Sequence, residues 1–512
     1  MKSGKVFLVG AGPGDAGLIT VKGARCVARA DVILFDRLVE PSIWASRKGE
    51  AELVYVGKMP GRRAMEQGEI NRLLVRKARA GKVVVRLKGG DPFIFGRGGE
   101  EALVLEKAGV EWEVVPGVTA AVGGAAYAGI PLTHRGVAAA VTMATGHEDA
   151  GKGEGRVDWG RIASAGGTVA AYMGVENLAN IARGLMDGGM WRDTPAAVIS
   201  WGTTVWQRVV EGTVGTIAVL AAKAGITPPA VAIFGEVVGL RRKLKWFERR
   251  PLLGRKVVVT RAWAQAAEMG RALTELGAEV IPFPTIRIEG VRDWRRVDGE
   301  IRNLGEYDWV VFTSGNGVQG LMGRMGALGL DARAMGGVRI CAIGPGTAEK
   351  LGEYFLRVDC MPGEYVSRAI VGALKRCGGI RGKKFLLARG DIATKELPEA
   401  LGAMGGRVKE AAVYRTVEDV TEGMAELIYE EEFAKGGVAY VTFTSASTAR
   451  SFAARYSARQ LKEIGKRARV VSIGPVTSKA LRELGLAARV EAREHTVAGV
   501  IEAIVRDARR RK

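Results

Sequence analysis

The chain has 512 residues, more than the roughly 250–300 at which a single hydrophobic core stops growing, so at least two domains are expected. Apolar residues make up 47% and charged residues 26%, a globular composition that excludes disordered and collagen-like chains. The net charge of +21, from 76 basic and 55 acidic residues, favours an anionic partner, which could be nucleic acid, an acidic membrane or a polyanionic small molecule.

Cysteine and histidine are sparse. The four cysteines form no CxxC pair, and the three histidines show no i,i+4 spacing. This pattern predicts neither a disulfide framework nor a metal site. Glycines interrupt any signal-like apolar core near the start, and two prolines break the charge-free stretch over 114–133. We therefore expect no membrane segment and a cytoplasmic location.

Short apolar runs alternate with helical patterns through the first half. Strands are predicted at 5–9, 32–35, 53–56 and 82–87, and helices at about 17–30 and 70–78. Such alternation predicts layered α/β structure.

A basic segment over 241–256 interrupts this pattern. It holds eight basic residues and one acidic residue, a net charge of +7, and contains Pro251 and Gly254 just before a new predicted strand at 256–260. We place a domain boundary here. The predicted organisation is a first domain over 1–247, a basic linker over 248–255 and a second domain over 256–512.

The second half contains an internal repeat. FTSGNG from Phe312 returns as FTSAST from Phe443, a shift of 131 residues. AIGPGTAEKL and SIGPVTSKAL, around Gly344 and Gly474, are shifted by 130, and VVVTRA (257–262) and FLLARG (385–390) by 128. Three landmarks with nearly one offset predict two similar α/β lobes, and such lobes commonly bind a ligand between them.

The loop GAGPGD (10–15) follows the first predicted strand but departs from a dinucleotide fingerprint. Asp15 stands where the third glycine is needed, and Pro13 removes a backbone N–H that would face a phosphate. A glycine loop that loses donors and gains a carboxylate suits a neutral or cationic ligand. A simple strand–helix turn is the alternative.

Further motifs accompany this loop in a fixed order: DRLV (36–39), VVRLKGGDPFIFGRGGEE (84–101), VVPGVTAA (114–121), IPLTHR (130–135), ATGHED (144–149), YMGVEN (172–177) and PPAVAIFGEVV (228–238). Together they resemble uroporphyrinogen-III C-methyltransferase, a tetrapyrrole methylase that uses S-adenosylmethionine. The resemblance covers nearly all of residues 4–247, and its specificity lies in the combination of motifs.

The resemblance implies two α/β lobes with S-adenosylmethionine in the cleft between them. No metal is expected, because the cysteines and histidines lack ligand spacing. The cofactor-binding positions that it implies are Pro13, Gly89, Gly90, Asp91, Ile94, Thr119, Ala120, Met173, Gly202 and Ala230. From the residues alone, Asp91 could be a turn former before Pro92, and Met173 could fill a core. Trp201 departs from the family, which usually has a Glu-Asn pair before the Gly-Thr pair.

The methylation would join an electron-rich pyrrole carbon to the sulfonium methyl group. The resemblance implies Asp36 as the general base and Lys58 as a proton donor. The non-catalytic alternatives are that Asp36 caps a helix and that Lys58 is a solvated surface lysine. It implies Arg97, Glu100 and Arg135 as substrate-binding positions, where arginine suits carboxylates through its bidentate fork.

The second half resembles uroporphyrinogen-III synthase over about 255–505. The matching segments are VVVTRA, YDWVVFTSGNGV, AIGPGTAEKL, VYRT (413–416), VTFTSAST and SIGPVTSKAL. The resemblance implies interleaved lobes, in which about 255–283 joins the C-terminal portion and about 285–415 forms the other lobe. The predicted fold class is therefore α/β throughout, with a two-lobed methylase fold followed by a two-lobed synthase fold.

The synthase reaction would close linear hydroxymethylbilane into a macrocycle after loss of its terminal hydroxyl. Tyr414 matches the position of the family's catalytic candidate, and a phenol suits that role as a weak acid and hydrogen-bond donor. The alternative is a buried aromatic residue with a satisfied hydroxyl. The candidates for binding the eight substrate carboxylates are Thr313, Ser314, Asn316, Arg389, Thr444, Ser445 and Thr477. Arg261 corresponds to Arg389 in the repeat, and either could instead be a surface charge.

The expected protein is a bifunctional enzyme that makes uroporphyrinogen III and methylates it twice to precorrin-2, on the branch to sirohaem or cobalamin. Its partners would be polycarboxylate tetrapyrroles, without nucleic acid or membrane, and the resemblance implies a homodimer through the methylase domain. Nothing like an NAD-binding oxidase and ferrochelatase precedes Gly4, so we expect the reaction to stop at precorrin-2. The alternatives are a methylase of another corrin intermediate with a non-catalytic second half, and a basic nucleic-acid-binding protein.

Overall fold

The computed structural model describes residues 4–57, 65–146, 157–261, 263–283, 286–364, 367–418 and 424–511. The chain divides into two compact units, Met1–Leu253 and Gly254–Lys512. Each unit is built from two α/β lobes, which confirms the predicted fold class.

The first lobe of the first unit has a parallel sheet with helices packed on it. Its strands are β1 (Lys5–Gly10), β2 (Val32–Phe35), β3 (Glu52–Tyr55), β4 (Val84–Lys88) and β5 (Glu111–Val115), and its helices are α1 (Val21–Arg29), α2 (Gln67–Arg79) and α3 (Gly98–Lys107). The sheet order is β3-β2-β4-β1-β5, with β4 and β1 in the middle. The strands that were predicted lie within two residues of their expected positions, because each is a short apolar run bounded by turn residues. The helix predicted at about 17–30 instead starts at Val21, where Thr20 caps it by accepting from Gly23 N–H.

The second lobe has a mixed sheet. Its helices are α4 (Ala120–Ala128), α5 (Trp159–Ser164), α6 (Leu178–Asp187), α7 (Ile217–Lys223) and α8 (Arg241–Leu244), and its strands are β6 (Val141–Thr145), β7 (Thr168–Tyr172), β8 (Pro195–Ser200), β9 (Arg208–Thr213) and β10 (Ala230–Phe234). The order is β6-β7-β10-β8-β9, in which β10 runs antiparallel to both of its neighbours.

The basic segment after β10 folds onto this lobe. Arg241 is buried, donates to Ala128 O and to Glu248, and pairs with Glu211 at 2.9 Å. Trp246 donates from its indole N–H to Ala126 O, and Phe247 is buried. Arg241 therefore stabilises the fold of the first unit rather than serving as a free surface charge of a linker.

The second unit begins with β11 (Lys256–Val259), α9 (Trp263–Glu275) and β12 (Glu279–Pro282). A continuous lobe follows, with the strands β13 (Ile286–Glu289), β14 (Trp309–Phe312), β15 (Arg339–Ala342), β16 (Lys384–Gly390) and β17 (Arg407–Glu418) and the helices α10 (Arg295–Arg302), α11 (Gly315–Ala327), α12 (Pro345–Gly352), α13 (Ser367–Gly378) and α14 (Glu396–Ala403). The chain then forms the helices α15 (Met424–Ile428), α16 (Ala446–Ala453), α17 (Ala458–Arg467), α18 (Pro475–Glu483) and α19 (Val497–Arg509) and the strands β18 (Val438–Phe443), β19 (Arg469–Ser472) and β20 (Val490–Glu491).

The two lobes of this unit are interleaved, as the resemblance implied. One sheet has the order β13-β17-β16-β14-β15, and the other has the order β12-β11-β18-β19-β20. The repeat in the sequence is real in the fold, since β14–α11 and β18–α16 are equivalent strand–turn–helix units. Ser314 caps α11 by accepting from Gly317 N–H, and Ser445 caps α16 by accepting from Thr448 N–H.

The cysteines are more clustered than their sequence spacing suggests. Cys341 and Cys360 are bridge partners on neighbouring strand segments, and Cys377 lies within hydrogen-bonding reach of the Cys360 thiol. Burial, followed by the hydrogen bond with Cys377, raises the pKa of Cys360 to about 12. All four cysteines are free thiols.

The described residues contain neither a membrane-spanning helix nor a cluster of metal-ligating side chains. None of their helices is long and apolar enough to cross a bilayer. Within the same ranges, no group of three or more His, Cys, Asp or Glu side chains is placed to hold a metal ion.

Candidate active sites

Three glycine-containing loops of the first unit meet at the carboxyl ends of β1, β4 and β5. Gly12 N–H donates to Gly90 O at 3.2 Å, and Gly90 N–H donates to Gly12 O at 2.7 Å. A Cβ on Gly117 would lie only 2.3 Å from Gly90 O and 2.7 Å from Gly10 Cα. The backbones approach too closely for any side chain, which explains the glycines in this part of the sequence.

The carboxylates in these loops hold the loops together. Asp91 accepts from Phe93 N–H at 2.8 Å through one oxygen and from Gly117 N–H at 2.9 Å through the other. Asp15 accepts from Gly17 N–H and from the Tyr127 hydroxyl. Asp91 thus has the contacts of a turn former, and its role toward a cofactor stays a prediction.

The second lobe reaches the same place through the loop after β8. Asp15 N–H donates to Thr203 Oγ1 at 3.0 Å. A Cβ on Gly123 would lie 2.5 Å from Pro13 Cγ, and a Cβ on Gly202 would lie 2.9 Å from Gly124 Cα. The predicted cofactor positions Pro13 and Gly202, which are far apart in the sequence, therefore flank the same helix, α4.

Tyr172 joins the end of β7 to this assembly. Its hydroxyl lies 2.8 Å from Thr119 Oγ1 and accepts from Ala121 N–H at 3.0 Å, and its ring centroid lies 4.8 Å from that of Phe95. Burial raises the pKa of Tyr172, so the hydroxyl stays protonated. The next residue, Met173, is 50% exposed, which excludes the core-filling alternative.

The remaining predicted cofactor residues follow β4 or begin α4 and β10. Gly89 packs against Leu38, because a Cβ there would lie 2.8 Å from Leu38 Cβ. Ile94 is exposed, Ala120 begins α4, and Ala230 begins β10 opposite Ser200. The predicted set therefore borders one region at the carboxyl edge of both sheets.

Backbone strain marks the same region. Five residues other than glycine have positive φ here: Phe95 (53°), Arg97 (59°), Met173 (51°), Trp201 (50°) and Thr203 (71°). Among the described residues, the one other non-glycine residue with positive φ is Phe355, in the second unit. Strained backbone of this kind concentrates at functional sites, and single-sequence reasoning has no signal for it.

Asp36 lies in the loop after β2. Its Oδ1 accepts from Leu38 N–H at 3.0 Å, and its Oδ2 lies 3.6 Å from Arg86 Nη2. The bond to Leu38 is a local turn contact, and it leaves Oδ2 available to a ligand. Lys58, the predicted proton donor, lies outside the described residues.

Sequence reasoning missed a buried charge cluster beside Asp36. Arg86 and Lys88 of β4 are each 5% exposed, and Glu101 of α3 is 0% exposed. Glu101 Oε1 lies 3.2 Å from Arg86 Nε and 3.0 Å from Lys88 Nζ. The available signal was two cations alternating with apolar residues in a central strand, since side chains two apart share one face.

The predicted substrate-binding charges of this unit lie at the surface. Arg97 donates to Glu100 through two bonds of 2.8 Å, and this contact lowers the pKa of Glu100. Arg135 is exposed, next to His134. Arg97 and Glu100 neutralise each other, so they could meet a substrate only as a pair or after separating.

In the second unit, Tyr414 and Ser314 come together. The Tyr414 hydroxyl lies 3.2 Å from Ser314 Oγ. A Cβ on Gly390 would lie 2.8 Å from the Tyr414 ring, at a point where the pairing of β16 with β17 shifts register. Gly390 is therefore required for the ring to lie across the end of β16. Thr313 and Asn316 flank Ser314 and are half-buried.

Arg389 is buried beside this pair, with 4% exposure. It donates to Thr394 O, and its Nη1 lies 3.6 Å from Glu410 Oε2. Burial lowers the pKa of Arg389. The surface-charge alternative is wrong for this residue, whereas Arg261 at the corresponding position is half-buried.

The lobe that contains β18 repeats the strand–turn–helix arrangement of β14 and α11, with different side chains around the turn. Thr444 and Ser445 follow β18, and Ser445 Oγ lies 2.9 Å from Ser447 Oγ. Thr477 is buried in the first turn of α18. At the start of that helix the His495 ring packs on Gly474, where a Cβ would lie 2.8 Å from the ring. His495 was not predicted as a site residue.

Comparison with known families decides what these units are. The sequence model described as Tetrapyrrole (Corrin/Porphyrin) Methylases matches residues 5–218, and the model described as Uroporphyrinogen-III synthase HemD matches residues 267–502. A protein of Ruminiclostridium josui named "Porphyrin biosynthesis protein HemD" is 35% identical over 506 residues, which are 99% of this chain and 98% of that protein. The chain belongs to the family in which a tetrapyrrole methylase is fused to a uroporphyrinogen-III synthase.

The methylase unit has close relatives of its own. A "Uroporphyrinogen-III C-methyltransferase" of Bacillus subtilis (strain 168) is 47% identical over 245 residues, which are 48% of this chain and 95% of that protein. A solved structure of a uroporphyrin-III C-methyltransferase from Thermus thermophilus, complexed with S-adenosylhomocysteine, is 43% identical. It covers 46% of this chain and 100% of its own, with a TM-score of 0.40.

Proposed function

We propose that the protein is a bifunctional enzyme of tetrapyrrole biosynthesis. Its synthase unit closes hydroxymethylbilane to uroporphyrinogen III, and its methylase unit methylates that product twice to precorrin-2. The observation that carries the proposal is the presence of both family domains in one chain, with most predicted site residues following the carboxyl ends of strands. Ligands of open α/β sheets bind at that edge.

S-adenosylmethionine fits the region where the glycine loops of the methylase unit meet. The Pro13 loop offers few donors to a phosphate, which suits a ligand without one. Met173 and Ile94 present accessible apolar surface, and Asp91 holds the loops together. In the proposal these residues, with Thr119, Ala120, Gly202 and Ala230, would hold S-adenosylmethionine, which supplies an electrophilic methyl group when bound.

Asp36 has the geometry of a proton acceptor. Leu38 N–H holds Oδ1, so Oδ2 is directed away from its own loop and toward Arg86. In the proposal, the pyrrole carbon, which carries no hydrogen, gains the methyl group, and Oδ2 of Asp36 accepts the proton that the macrocycle then releases from a neighbouring bridging carbon or pyrrole N–H. The neighbouring loops align the carbon with the methyl group and exclude water from the reacting atoms.

The synthase chemistry centres on Tyr414. Its hydroxyl lies beside Ser314 Oγ, so one of the two oxygens can donate to the other while the second proton remains available. In the proposal, Tyr414 donates a hydrogen bond to the terminal hydroxyl of hydroxymethylbilane and assists its departure as water. The helix-capping turns at Thr313–Asn316 and Thr444–Ser445 bind substrate carboxylates.

We also propose a homodimer formed through the methylase unit, cytoplasmic location and no nucleic-acid partner. The free thiols Cys341 and Cys360 lie side by side, which supports a reducing compartment. The net charge of +21 supports steering of polycarboxylate substrates. Sedimentation of the purified protein tests the dimer.

The test of the whole proposal is anaerobic incubation of the purified protein with freshly generated hydroxymethylbilane and S-adenosylmethionine, followed by mass and isomer analysis. A dimethylated type III macrocycle is expected. A type I product equal to that of the spontaneous control would contradict the synthase assignment. Supplied uroporphyrinogen III that stays unmethylated would contradict the methylase assignment.

A further inference from the structure

The buried cluster formed by Arg86, Lys88 and Glu101 is unusual because charged side chains are rarely fully enclosed. The two cations lie on one face of β4, and the carboxylate enters from the first turn of α3. Two cations meet one carboxylate, so these three groups carry a net charge of +1 if every group is ionised, and the Asp36 carboxylate, 3.6 Å from Arg86, faces that charge. A net charge in an enclosed site is costly unless something requires it.

The hydrogen bonds of the cluster converge on a single oxygen. Glu101 Oε1 accepts from Arg86 Nε, from Lys88 Nζ and from Gln67 Nε2, at 3.2, 3.0 and 3.2 Å. Glu101 Oε2 is buried and has no hydrogen-bond partner within the described residues. All the hydrogen bonds that hold this carboxylate within the described residues therefore end on Oε1.

The cluster is connected to the proposed base through Arg86. Glu101 holds Nε, and Leu87 O accepts from Nη1 at 3.1 Å. These two contacts fix the plane of the guanidinium and leave Nη2 facing Asp36 Oδ2 at 3.6 Å. At that distance the contact is an ion pair rather than a hydrogen bond, so Oδ2 keeps its accepting capacity.

We propose that Glu101 is a positioning residue for methyl transfer, which holds the Arg86 guanidinium against Asp36, and that Lys88 keeps the cluster at a net charge of +1. The inference rests on the proposed methylase function and on Asp36 as the base. It predicts that the net charge of the cluster affects kcat of the folded enzyme, whereas loss of one partner from a purely structural cluster would lower the free energy of unfolding and leave that kcat unchanged.

The ionisation of Lys88 makes the net charge of the cluster depend on pH. Burial, followed by the charge of Arg86, lowers the pKa of Lys88, while Glu101 and Asp36 oppose that decrease. Glu100 also lies within electrostatic range of Lys88. If Glu101 loses its charge, Lys88 releases its proton at lower pH, and the charge beside Asp36 then varies across the range in which activity is measured.

The test is a charge-matched set of variants of the full chain. Glu101→Gln raises the nominal cluster charge from +1 to +2, Lys88→Met lowers it to 0, and the double variant restores +1. Each single variant is expected to lower kcat for methylation of supplied uroporphyrinogen III by about 10-fold, and the double variant to recover to within about 3-fold of the wild type. The basic limb of the pH–kcat profile should move to lower pH in Glu101→Gln, and this shift should be absent from the double variant, which has no Lys88 to release a proton.

Controls separate this inference from folding and from the proposed function. Lys77→Met removes a surface ion pair with Glu52 on the same lobe and should leave kcat and the pH profile unchanged. S-adenosylhomocysteine affinity reports that the methylase unit of each variant is folded, and synthase activity reports that the second unit is unaffected. Equal loss of kcat in all three variants, with an unmoved pH profile, would overturn the positioning role. A wild-type protein without methylation would instead refute the proposed function.

Discussion

The Tyr414 hydroxyl lies 3.2 Å from Ser314 Oγ, although 100 residues separate them in the chain. Ser314 caps α11, and Tyr414 lies near the end of β17. Movement of the capping serine would break its bond with Gly317 N–H, at a cost of about 0.5–2 kcal/mol, so the cap restrains the oxygen that contacts the phenol. The contact therefore connects helix stability to the geometry of the proposed synthase site.

Tyr414→Phe should slow ring closure by about 100-fold, at the low end of what a positioned acid contributes. The ratio of type III to type I uroporphyrinogen should fall toward the spontaneous value, while methylation of supplied uroporphyrinogen III continues unchanged. Both rates can be followed by chromatography. Tyr354→Phe, a half-buried tyrosine of the same lobe, is the matched control. A fully active Tyr414→Phe variant would remove Tyr414 from the mechanism.

Asp36→Asn should show the opposite selectivity. The amide keeps the turn contact with Leu38 N–H but cannot accept a proton at the second position, so methylation should fall by about 100-fold. Ring closure and S-adenosylhomocysteine affinity should stay within about twofold of the wild type. Stopped assays on supplied uroporphyrinogen III measure the first effect, and calorimetry measures the affinity. Unchanged methylation would assign the base to another residue.

A cation–π contact between Arg37 and Trp201 joins the loops after β2 and β8, which border the proposed cofactor region. Loss of this contact should therefore speed ligand release from the methylase unit. The guanidinium of Arg37, next to Asp36, lies 5.8 Å from the centre of the Trp201 ring, next to Gly202. An exposed cation–π contact contributes about 0.5–1 kcal/mol, which corresponds to about 2–5-fold in a dissociation rate. Arg37→Gln should accelerate S-adenosylhomocysteine release by that factor in stopped-flow fluorescence. Trp191→Phe, which alters an exposed tryptophan, should not, and equal rates in both variants would contradict the prediction.

The stability of the methylase unit should depend on pH through Asp31. Lys48 and the Val83 N–H lower the pKa of this carboxyl. Its contribution is therefore present above the unfolded pKa of about 4 and is lost as pH falls through the folded pKa. Asp31→Asn should lower the free energy of unfolding by about 1 kcal/mol at pH 7. This loss is smaller than that expected for a buried ion pair, because Asp31 and Lys48 are partly solvated.

Urea titrations at pH 7 and at about pH 3 measure this difference between Asp31→Asn and the wild type. It should be smaller at the lower pH, and it vanishes only once the pH lies below the lowered pKa of the folded carboxyl. Asp193→Asn, at an exposed position, is the matched control and should show no difference at either pH. A difference that persists at low pH would show that the hydrogen bond, rather than the charge, carries the stability.

The order of strands and helices could be predicted because it depends on local patterns, whereas the interleaved lobes were implied only by the resemblance to uroporphyrinogen-III synthase. Apolar runs such as Val32–Phe35 lie between turn residues and form the predicted strand. Asp91 and Pro13 were located correctly in loops after strands because those loops carry the glycines. None of this required knowledge of distant contacts.

The features that could not be predicted arise from packing between distant segments. The strand that carries Arg86 and Lys88 looks half-exposed in the sequence, and Glu101, 13 residues beyond Lys88, encloses both cations. Cys341 and Cys360 look isolated yet are bridge partners. Arg389 looks like a surface charge, but Thr394 O and Glu410 enclose it. In each case the partner is supplied by tertiary structure.

The parallel pairing of β11 with β18 has a consequence for how the protein is made. Thr260 Oγ1 donates to Thr442 O at 2.7 Å, and Thr442 Oγ1 donates to Val258 O at 3.1 Å, across more than 180 residues. As the ribosome releases the chain from its amino end, β11 must wait without its neighbour until β18 has been translated. Residues 286–418 can meanwhile complete their own sheet. The lobe that contains β11 is therefore begun first and completed last.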